Sequence, residues 1–269
     1  MYPILFEVGS VTVYSYGFMI AVGIVAGMSY LVIEGKKEAG LTFDQANKLF
    51  LYIFFAAVIG GKVFLFLENP GTYLDDPKRL LTGRGFVFYG SFLLAIPTMW
   101  WFFRKNRLNA YRMLDVMAIT TCLVHMFGRV GCFLAGCCYG LPTDSALGVT
   151  YTNAECYAEP LNTPLFPTQV FEAFYIFLVM LVLLVLKRRR TFYGQLFLCY
   201  LILYAIGRSI LEIFRGDAAR GFVIDDYISH SQFIAFMVLL AVAWVYMRWS
   251  KRVIQPSDEV VRTNKDRVT

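Results

Sequence analysis

The sequence predicts an all-α, polytopic helical membrane protein, and three observations support that prediction. Of its 269 residues, 58% are hydrophobic and only 16% are charged, against about 25% charged residues in soluble domains. Apolar runs close to the roughly 20 residues that a spanning helix needs recur along the chain. Lysine and arginine are divided unequally between the segments that join these runs. Because lipid-exposed backbone must satisfy its hydrogen bonds within one segment, such runs predict helices.

The apolar runs predict about seven transmembrane helices. The first run begins about a dozen residues into the chain, and no basic segment precedes it. We therefore expect a retained helix there rather than a cleaved signal peptide. The seven runs cover residues 13–33, 49–67, 86–103, 113–135, 170–186, 196–214 and 233–247.

The basic residues predict an orientation. Seventeen of the 25 lie on one side of the predicted helices and five on the other, while Lys62, Arg129 and Arg208 fall inside or at the ends of spans. Because basic loops stay in the cytoplasm, we expect an N-terminus outside and a cytoplasmic C-terminus. The net charge of +6 then reflects orientation and attraction to anionic lipid headgroups, and we expect no nucleic-acid partner.

We predict one transmembrane domain over residues 1–254 and a disordered cytoplasmic tail over residues 255–269, where charges of both signs alternate. The longest segment without a helical pattern covers about residues 141–167 and contains no lysine or arginine. Long loops in compact domains usually serve a function. We expect this one to form a small extracytoplasmic cap or a substrate-binding loop.

The most unusual stretch is residues 125–140, where glycines and cysteines follow a histidine and an arginine. His125 and Arg129 are four residues apart, so they lie on one helix face. An arginine at membrane depth costs about 2.5–3.5 kcal/mol, which favours a functional role. The alternative is a helix end at which Arg129 reaches the lipid headgroups.

A second polar stripe lies in the sixth run, where Tyr204, Arg208 and Glu212 recur every four residues and Arg215 follows. One interpretation is a self-neutralising pair of Arg208 and Glu212 that only locks two helices together. The excess of arginine instead favours an anion site. Arginines on two separate helices suit a phosphate group, which guanidinium binds with two hydrogen bonds. Inside a membrane, the simplest phosphate-bearing molecule is a lipid.

Three further positions combine polarity with an apolar setting. Tyr16, at an outer boundary, is equally typical of an interface anchor and of a chemical role. Lys62 follows two glycines that permit close helix packing, and it needs a partner or a polar cavity. The segment 167–172 starts a helix with proline and places Gln169 and Glu172 on one face.

The cysteines divide into two groups. Cys122 and Cys199 lie within spans, where cysteine is a small packing residue. Four others lie at or beyond the outer end of the fourth run, where an oxidising environment favours a disulfide among them. No metal site and no cofactor are predicted, because no C-x-x-C pair with a matching second cluster is present. A catalytic thiol needs a base, and His125 would reach one only if the loop folds back. These four are Cys132, Cys137, Cys138 and Cys156.

Several motifs, in this order and spacing, resemble those of the bacterial prolipoprotein diacylglyceryl transferases, in a cysteine-rich version of the signature. The matches run from the first predicted span to the last, so the resemblance covers nearly the whole chain. They comprise Tyr16-Gly17, Gly60-Gly61-Lys62, Tyr89-Gly90, Gly128-Arg129-Val130-Gly131 with Phe133, Gly136 and Gly140, the run Pro167-Thr168-Gln169-Val170-Phe171-Glu172, the stripe of Tyr204, Arg208, Glu212 and Arg215, and Tyr227-Ile228-Ser229 with Gln232.

The resemblance implies a seven-helix enzyme of the bacterial cytoplasmic (inner) membrane. Such an enzyme moves the diacylglyceryl group of phosphatidylglycerol, a membrane lipid, to the lipobox cysteine of a prolipoprotein and releases glycerol phosphate. The resemblance also implies that Arg129 and Arg208 stabilise the leaving phosphate and that Glu212 orients Arg208. Tyr16, Tyr89 or Tyr204 would position the donor or the incoming thiol. The implied substrate-binding residues are Arg129, Tyr16, Lys62, Gly131, Gly140 and Arg215.

The chain departs from the family pattern at three places. Members commonly have His-Gly at Tyr89-Gly90, Gly-Asn-Phe at Gly131-Cys132-Phe133 and Asn-Gly-Glu at Ala135-Gly136-Cys137. The base is therefore open: either Tyr89 replaces the histidine, or the acceptor thiol needs no strong protein base. Two other functions also stay open. One is a divergent paralogue with another lipid donor or thiol acceptor, and the other is a non-enzymatic lipid-binding or redox membrane protein built on the outer cysteines.

Overall fold

Helices make up most of the computed structural model, which describes residues 1–9, 11–68, 70–76, 78, 87–216, 222–224 and 228–251. The predicted tail lies outside these residues, so its disorder stays a prediction. The helices are α1 (Ser15–Ala39), α2 (Phe43–Glu68), α3 (Pro70–Asp75), α4 (Phe88–Lys105), α5 (Ala110–Ala135), α6 (Thr168–Lys187), α7 (Gln195–Glu212) and α8 (His230–Trp249). Short antiparallel pairs of strands are β1 (Ile4–Val8) with β2 (Val11–Tyr14), β3 (Val149–Thr150) with β4 (Pro164–Leu165), and β5 (Phe222–Ile224) with β6 (Ile228–Ser229).

Within the described residues, six helices are long and apolar enough to cross a membrane, namely α1, α2, α5, α6, α7 and α8. This confirms the predicted class of polytopic helical membrane protein. The other predicted span, residues 86–103, forms α4. That helix carries Pro97 in its middle and ends on Arg104 and Lys105, and it is not among the six. The count of seven spans and the orientation stay predictions.

The chain divides into two units, Leu31–Met113 on the one hand and Met1–Tyr30 with Leu114–Thr269 on the other. In the first of these, α2 and α4 pack closely where Gly60 faces Gly90. A Cβ atom on either glycine would overlap the facing helix, so small residues set this contact. The predicted single domain over residues 1–254 stays a prediction.

The second unit has its core between α5, α6 and α7. These helices run alternately up and down, so the end of α5, the start of α6 and the end of α7 lie at one level. In a membrane such a core is stabilised by close van der Waals packing. Its buried side chains are Ala118, Ile119, Cys122, Ile176, Val179, Leu183, Leu196 and Tyr200.

Helix α1 approaches α5 through glycines of both helices. A Cβ atom on Gly23 would lie 3.0 Å from the Cβ atom of Phe127. A Cβ atom on Gly131 would lie 3.2 Å from the Cα atom of Tyr16. Because glycine lets helix backbones come together, this crossing brings Tyr16 against the Arg129 end of α5.

The segment of residues 141–167 folds around its own apolar cluster of Tyr151, Ala158 and Leu165, beside the pairing of β3 with β4. Burial raises the pKa of Tyr151 to about 12, so its phenol stays neutral at physiological pH. Its hydroxyl oxygen accepts a hydrogen bond from Gln169 Nε2 at 3.3 Å. The segment is a folded element attached to the start of α6, and its extracytoplasmic side stays a prediction.

The start of α7 is capped by an aspartate from another helix. Asp115 of α5 is 1% exposed. Its carboxylate accepts hydrogen bonds from the backbone N–H groups of Gly194 (3.0 Å), Leu196 (2.9 Å) and Phe197 (3.2 Å), and Arg190 Nη1 lies 3.5 Å from it. Negative charge at a helix N-terminus satisfies the unpaired amides, so Asp115 fixes where α7 begins.

We expect Asp115→Ala to destabilise the protein by about 2–5 kcal/mol, because three buried N–H groups and Arg190 lose their acceptor. Thermal unfolding in detergent should show a clearly lower Tm. The matched control is Asp44→Ala: Asp44 pairs with Lys48 on the surface and is 71% exposed, so its loss should leave Tm close to the wild-type value. Equal Tm values for the two variants would contradict the capping role.

Candidate functional site

The site forms where the end of α5, the start of α6 and the end of α7 meet. Each helix contributes a charged side chain that is largely buried: Arg129 is 17% exposed, Glu172 is 5% exposed and Arg208 is 13% exposed. Arg129 Nη2 lies 3.0 Å from Glu172 Oε1. Since charges at this depth occur only with partners or at functional sites, three of them at one level mark a built polar centre.

His125 completes a triangle with Arg129 and Glu172. Arg129 Nε donates a hydrogen bond to His125 Nε2 at 3.2 Å, and that nitrogen lies 3.3 Å from Glu172 Oε1. His125 Nε2 therefore faces both the Arg129 guanidinium group and the Glu172 carboxylate. Arg129 is thus held at two nitrogen atoms: Nε by His125 of its own helix α5, and Nη2 by Glu172 of α6.

Arg208 is held by Glu212, and its neighbour Gly207 packs against α6. Arg208 forms an ion pair with Glu212, one turn further along α7, as the spacing of four residues predicts. The ring of Tyr175 from α6 packs directly on Gly207, and the Tyr175 hydroxyl donates a hydrogen bond to the Leu203 carbonyl oxygen at 2.6 Å. The absence of a Cβ atom at Gly207 is what lets this ring lie against the backbone beside Arg208.

Tyr204 packs beside the charged group. Its ring stacks on Tyr200 with centroids 5.9 Å apart and meets the edge of His125 at 5.4 Å. Buried aromatic pairs of this kind hold both rings in fixed orientations. Its phenol lies within electrostatic range of Glu172, Arg129, Arg208 and Arg215.

The balance of charge favours an anion. Three arginines (129, 208 and 215) stand against the two carboxylates of Glu172 and Glu212. These groups therefore carry one net positive charge, which a phosphodiester with a single negative charge would neutralise. In a medium of low dielectric constant that attraction is much stronger than in water.

Gly140 and Arg215 join the end of α7 to the loop that follows α5. The two residues form an antiparallel bridge, the Gly140 N–H group donates to Phe166 O at 2.8 Å, and Leu141 N donates to Phe214 O at 2.9 Å. A Cβ atom at Gly140 would lie 2.6 Å from Phe214 O. The predicted substrate-binding residue Gly140 thus sits in a backbone junction beside the site.

The loop between α5 and the cap carries three cysteines near this junction. The Sγ atoms of Cys132, Cys137 and Cys138 lie within 4.8 Å of one another, and all three are free thiols. Hydrogen bonds with the other two thiols, together with the Arg129 and Arg215 guanidinium groups, lower the pKa of the Cys138 thiol. The three sulfur atoms are not bridged in this structure, and a disulfide in an oxidising environment stays a prediction.

Helix α6 holds that loop through its first two residues. Thr168 Oγ1 donates to the Cys138 carbonyl oxygen and Gln169 Nε2 donates to the Cys137 carbonyl oxygen, both at 2.7 Å. Gln169 is fully buried. The sequence places Gln169 and Glu172 on one face, and the structure shows what that face does: it orders the cysteine loop and pairs with Arg129.

The structure brings eight of the predicted site residues into one unit, and the other two lie in the unit Leu31–Met113. Lys62 is a half-buried residue of α2. Tyr89 lies in α4, and its side chain is outside the described part of the structure. The eight are Tyr16, Arg129, Gly131, Gly140, Tyr204, Arg208, Glu212 and Arg215.

Sequence reasoning left several residues out of the predicted site. The spacing of His125 and Arg129 predicts a shared helix face but assigns His125 no role in the site. Glu172 received only a helix face, although a buried acid at the start of an apolar helix is a signal for a cationic partner. The positioning contact of Tyr175 with Gly207 has no sequence signal, since it depends on how α6 crosses α7.

We expect Gly207→Ala to lower kcat for the reaction of this site by at least about 10-fold, because the new methyl group displaces the Tyr175 ring and moves Arg208. Steady-state kinetics of the purified protein measures this. Combining it with Tyr175→Ala should restore part of kcat by making room. Gly17→Ala is the matched control, since nothing lies within 4 Å of that position. A normal kcat in Gly207→Ala would contradict the positioning role.

Comparison with known families gives a match over almost the whole chain. The family model described as prolipoprotein diacylglyceryl transferase matches residues 3–248. That range includes all the charged and aromatic side chains described above.

Individual bacterial proteins are similar over comparable lengths. A phosphatidylglycerol–prolipoprotein diacylglyceryl transferase of Clostridium tetani is 35% identical over 91% of this chain and 97% of its own length. One of Clostridium perfringens, which carries the number 2 in its name, is 32% identical over 90% and 93%. One of Dehalococcoides mccartyi is 28% identical over 96% of each chain.

Proposed function

The chain belongs to the prolipoprotein diacylglyceryl transferase family, and from that membership we propose that it transfers the diacylglyceryl group of phosphatidylglycerol to the lipobox cysteine of prolipoproteins. It is a multi-pass membrane transferase of lipoprotein biosynthesis. The relatives are bacterial, which supports the bacterial cytoplasmic (inner) membrane as its proposed location. Membership also disfavours the non-enzymatic lipid-binding interpretation.

The chemistry is an S-alkylation. The cysteine sulfur attacks the diacylglyceryl carbon that carries the phosphate ester, so an S–C bond forms and the C–O bond breaks. The phosphate oxygen keeps the electron pair of that bond, the thiol loses its proton to solvent, and glycerol phosphate leaves. The phosphate has one negative charge as a diester and close to two as the departing monoester. Groups that hold the phosphate therefore bind the transition state more tightly than the substrate.

The observation that carries the proposal is the meeting of buried Arg129 and Arg208 from separate helices around Glu172 and Tyr204. Guanidinium groups fixed in advance and aimed at developing charge give the electrostatic stabilisation on which such reactions depend. Glu172 and His125 hold Arg129, while Glu212 holds Arg208. Tyr204 packs against His125 and lies within electrostatic range of both arginines, so we assign its hydroxyl to a phosphate oxygen.

The other predicted residues have supporting roles in this proposal. Tyr16 and Gly131 line the contact of α1 with α5 beside Arg129, and Arg215 adds positive charge near the cysteine loop. Lys62 and Tyr89 stay predicted donor-binding or thiol-positioning residues.

The test is transfer by the purified protein in detergent with phosphatidylglycerol and a lipobox peptide. We expect release of glycerol phosphate in step with a gain of peptide mass equal to one diacylglyceryl group. A peptide with serine in place of the lipobox cysteine is the matched control and should give neither signal. Product from another phospholipid but not from phosphatidylglycerol would favour the divergent paralogue. No product from any phospholipid, with the protein folded, would overturn the proposal.

A further inference from the structure

Three thiols meet at the end of α5, one turn beyond Arg129. Cys132 is buried, Cys137 and Cys138 are half-buried, and their Sγ atoms lie within 4.8 Å of one another. Tetrahedral zinc with Zn–S bonds of about 2.3 Å would place sulfur atoms about 3.8 Å apart. Closing this cluster on an ion therefore requires sulfur shifts of about 1 Å or less, which small rotations of cysteine side chains provide.

The backbone that carries these thiols is already fixed. Cys137 N donates to Cys132 O at 3.1 Å, which turns the chain back over the end of α5. The hydrogen bonds from Thr168 and Gln169 hold the carbonyl groups of Cys138 and Cys137. Cys138 takes a left-handed backbone conformation with φ of 60°, which non-glycine residues adopt at some cost and which persists where the surroundings impose it.

The surroundings of the cluster are basic. Arg129 lies one turn before Cys132 on α5, and Arg215 bridges Gly140, two residues after Cys138. Cationic neighbours stabilise the ionised sulfur that binds metals. Within the described residues, no fourth histidine, cysteine, aspartate or glutamate joins the group.

Zinc sites with four protein ligands are structural, whereas sites with three protein ligands keep a position for water or substrate. We propose that Cys132, Cys137 and Cys138 bind one zinc ion whose fourth position takes the acceptor cysteine of the prolipoprotein. This inference rests on the proposed function and adds to it the means by which the nucleophile is generated.

Zinc would generate the nucleophile directly. The acceptor must react as a thiolate, and a thiol that coordinates zinc is deprotonated outright. His125 Nε2 is engaged by Arg129, and the phenol of a tyrosine such as Tyr89, with an ordinary pKa of about 10, is not a base at neutral pH. A zinc-bound acceptor needs neither residue as a base.

The step balances without another reactant. The acceptor thiol binds zinc and releases its proton to water. Its sulfur then gives an electron pair to the diacylglyceryl carbon, the C–O bond breaks, and the phosphate oxygen leaves with the bonding pair as glycerol phosphate. The sulfur becomes a neutral thioether, which lacks the charge that holds a thiolate on zinc, so the product leaves the metal and the next thiol takes its place.

The first experiment is metal analysis of the purified full-length protein after zinc reconstitution and removal of free ion. We expect about one zinc per chain in the wild type and a loss of most of it in each of Cys132→Ser, Cys137→Ser and Cys138→Ser. The matched control is Cys156→Ser, which replaces the remaining outer cysteine and should retain zinc. Folded wild-type protein that binds no zinc would overturn the inference. So would loss of zinc in Cys156→Ser, because the site would then be closed by a fourth protein ligand.

Cobalt in place of zinc gives a readout that needs no variant. Thiolate-bound Co²⁺ has a strong charge-transfer absorption, and a fourth thiolate increases it. Adding lipobox peptide should raise this absorption, while the serine peptide should not. An unchanged spectrum on saturation with the cysteine peptide would show that the acceptor does not bind the metal and would overturn the inference.

Transfer assays separate this inference from the proposed function. We expect chelator-treated, metal-free protein to lose transfer by at least about 10²-fold and to regain it when zinc is returned. Full transfer by metal-free protein would overturn the zinc site and leave the proposed function standing. No transfer with or without zinc would instead overturn the proposed function.

Discussion

Replacing Arg129 or Arg208 by alanine is expected to lower kcat for diacylglyceryl transfer by about 10³-fold, the order seen when one fixed donor to developing negative charge is removed. The reason is the change in phosphate charge during the reaction. A guanidinium group binds the more negative departing monoester more strongly than the bound diester. Its removal therefore lowers kcat and does not only raise KM. Glycerol phosphate release under saturating lipobox peptide measures the effect.

The control for this prediction is Arg190→Ala. Arg190 is also buried, with 7% of its side chain exposed, but it serves the capping aspartate at the start of α7. Its loss should lower Tm while leaving kcat per folded enzyme close to the wild-type value. If Arg190→Ala lowered kcat as much as Arg129→Ala does, the effect would belong to loss of a buried charge in general and not to phosphate binding.

Replacing Glu172 by glutamine is expected to lower kcat by about 10–100-fold. This is the usual loss when a residue that orients a binding group is removed, as measured for the residues that orient metal ligands. Glu172 fixes Arg129 at 3.0 Å and faces His125. The glutamine keeps the shape but removes the charge, so Arg129 is free to turn. Because the site also becomes more positive, KM for phosphatidylglycerol should not rise.

That split between kcat and KM distinguishes a positioning role from a purely structural one. Glu172→Asp, which keeps the charge on a shorter side chain, should recover part of kcat. Tm values of both variants check folding. A rise in KM with unchanged kcat would show that Glu172 acts on donor binding and would contradict this account.

The sequence is sufficient to predict a polytopic helical membrane protein and those contacts of the charged site that lie within a single helix. Six of the seven apolar runs coincide with helices long and apolar enough to cross a membrane, because a helix in lipid must satisfy its own backbone hydrogen bonds. The spacing of four residues joins His125 to Arg129 and Arg208 to Glu212. These are contacts within one helix. Their geometry follows from the helical repeat alone.

Contacts between helices could not be predicted in the same way. That Glu172 lies against Arg129, or that Asp115 caps a helix about 80 residues later, depends on which faces of α5, α6 and α7 meet. The three thiols show the same limit. Their spacing in the chain matches no familiar metal motif, and only the turn after Ala135, held by Thr168 and Gln169, brings the sulfur atoms together.

The central claim is that Arg129 and Arg208 act together on one phosphate group, and a double-variant cycle tests it most directly. Arg129→Lys, Arg208→Lys and the double variant keep the charge, so their residual glycerol phosphate release stays measurable. Residues that act as a unit in a transition state are strongly non-additive. We predict that the double variant is about as slow as the slower single variant. A double variant whose loss equals the product of the two single losses would contradict the claim, because the arginines would then act at independent places.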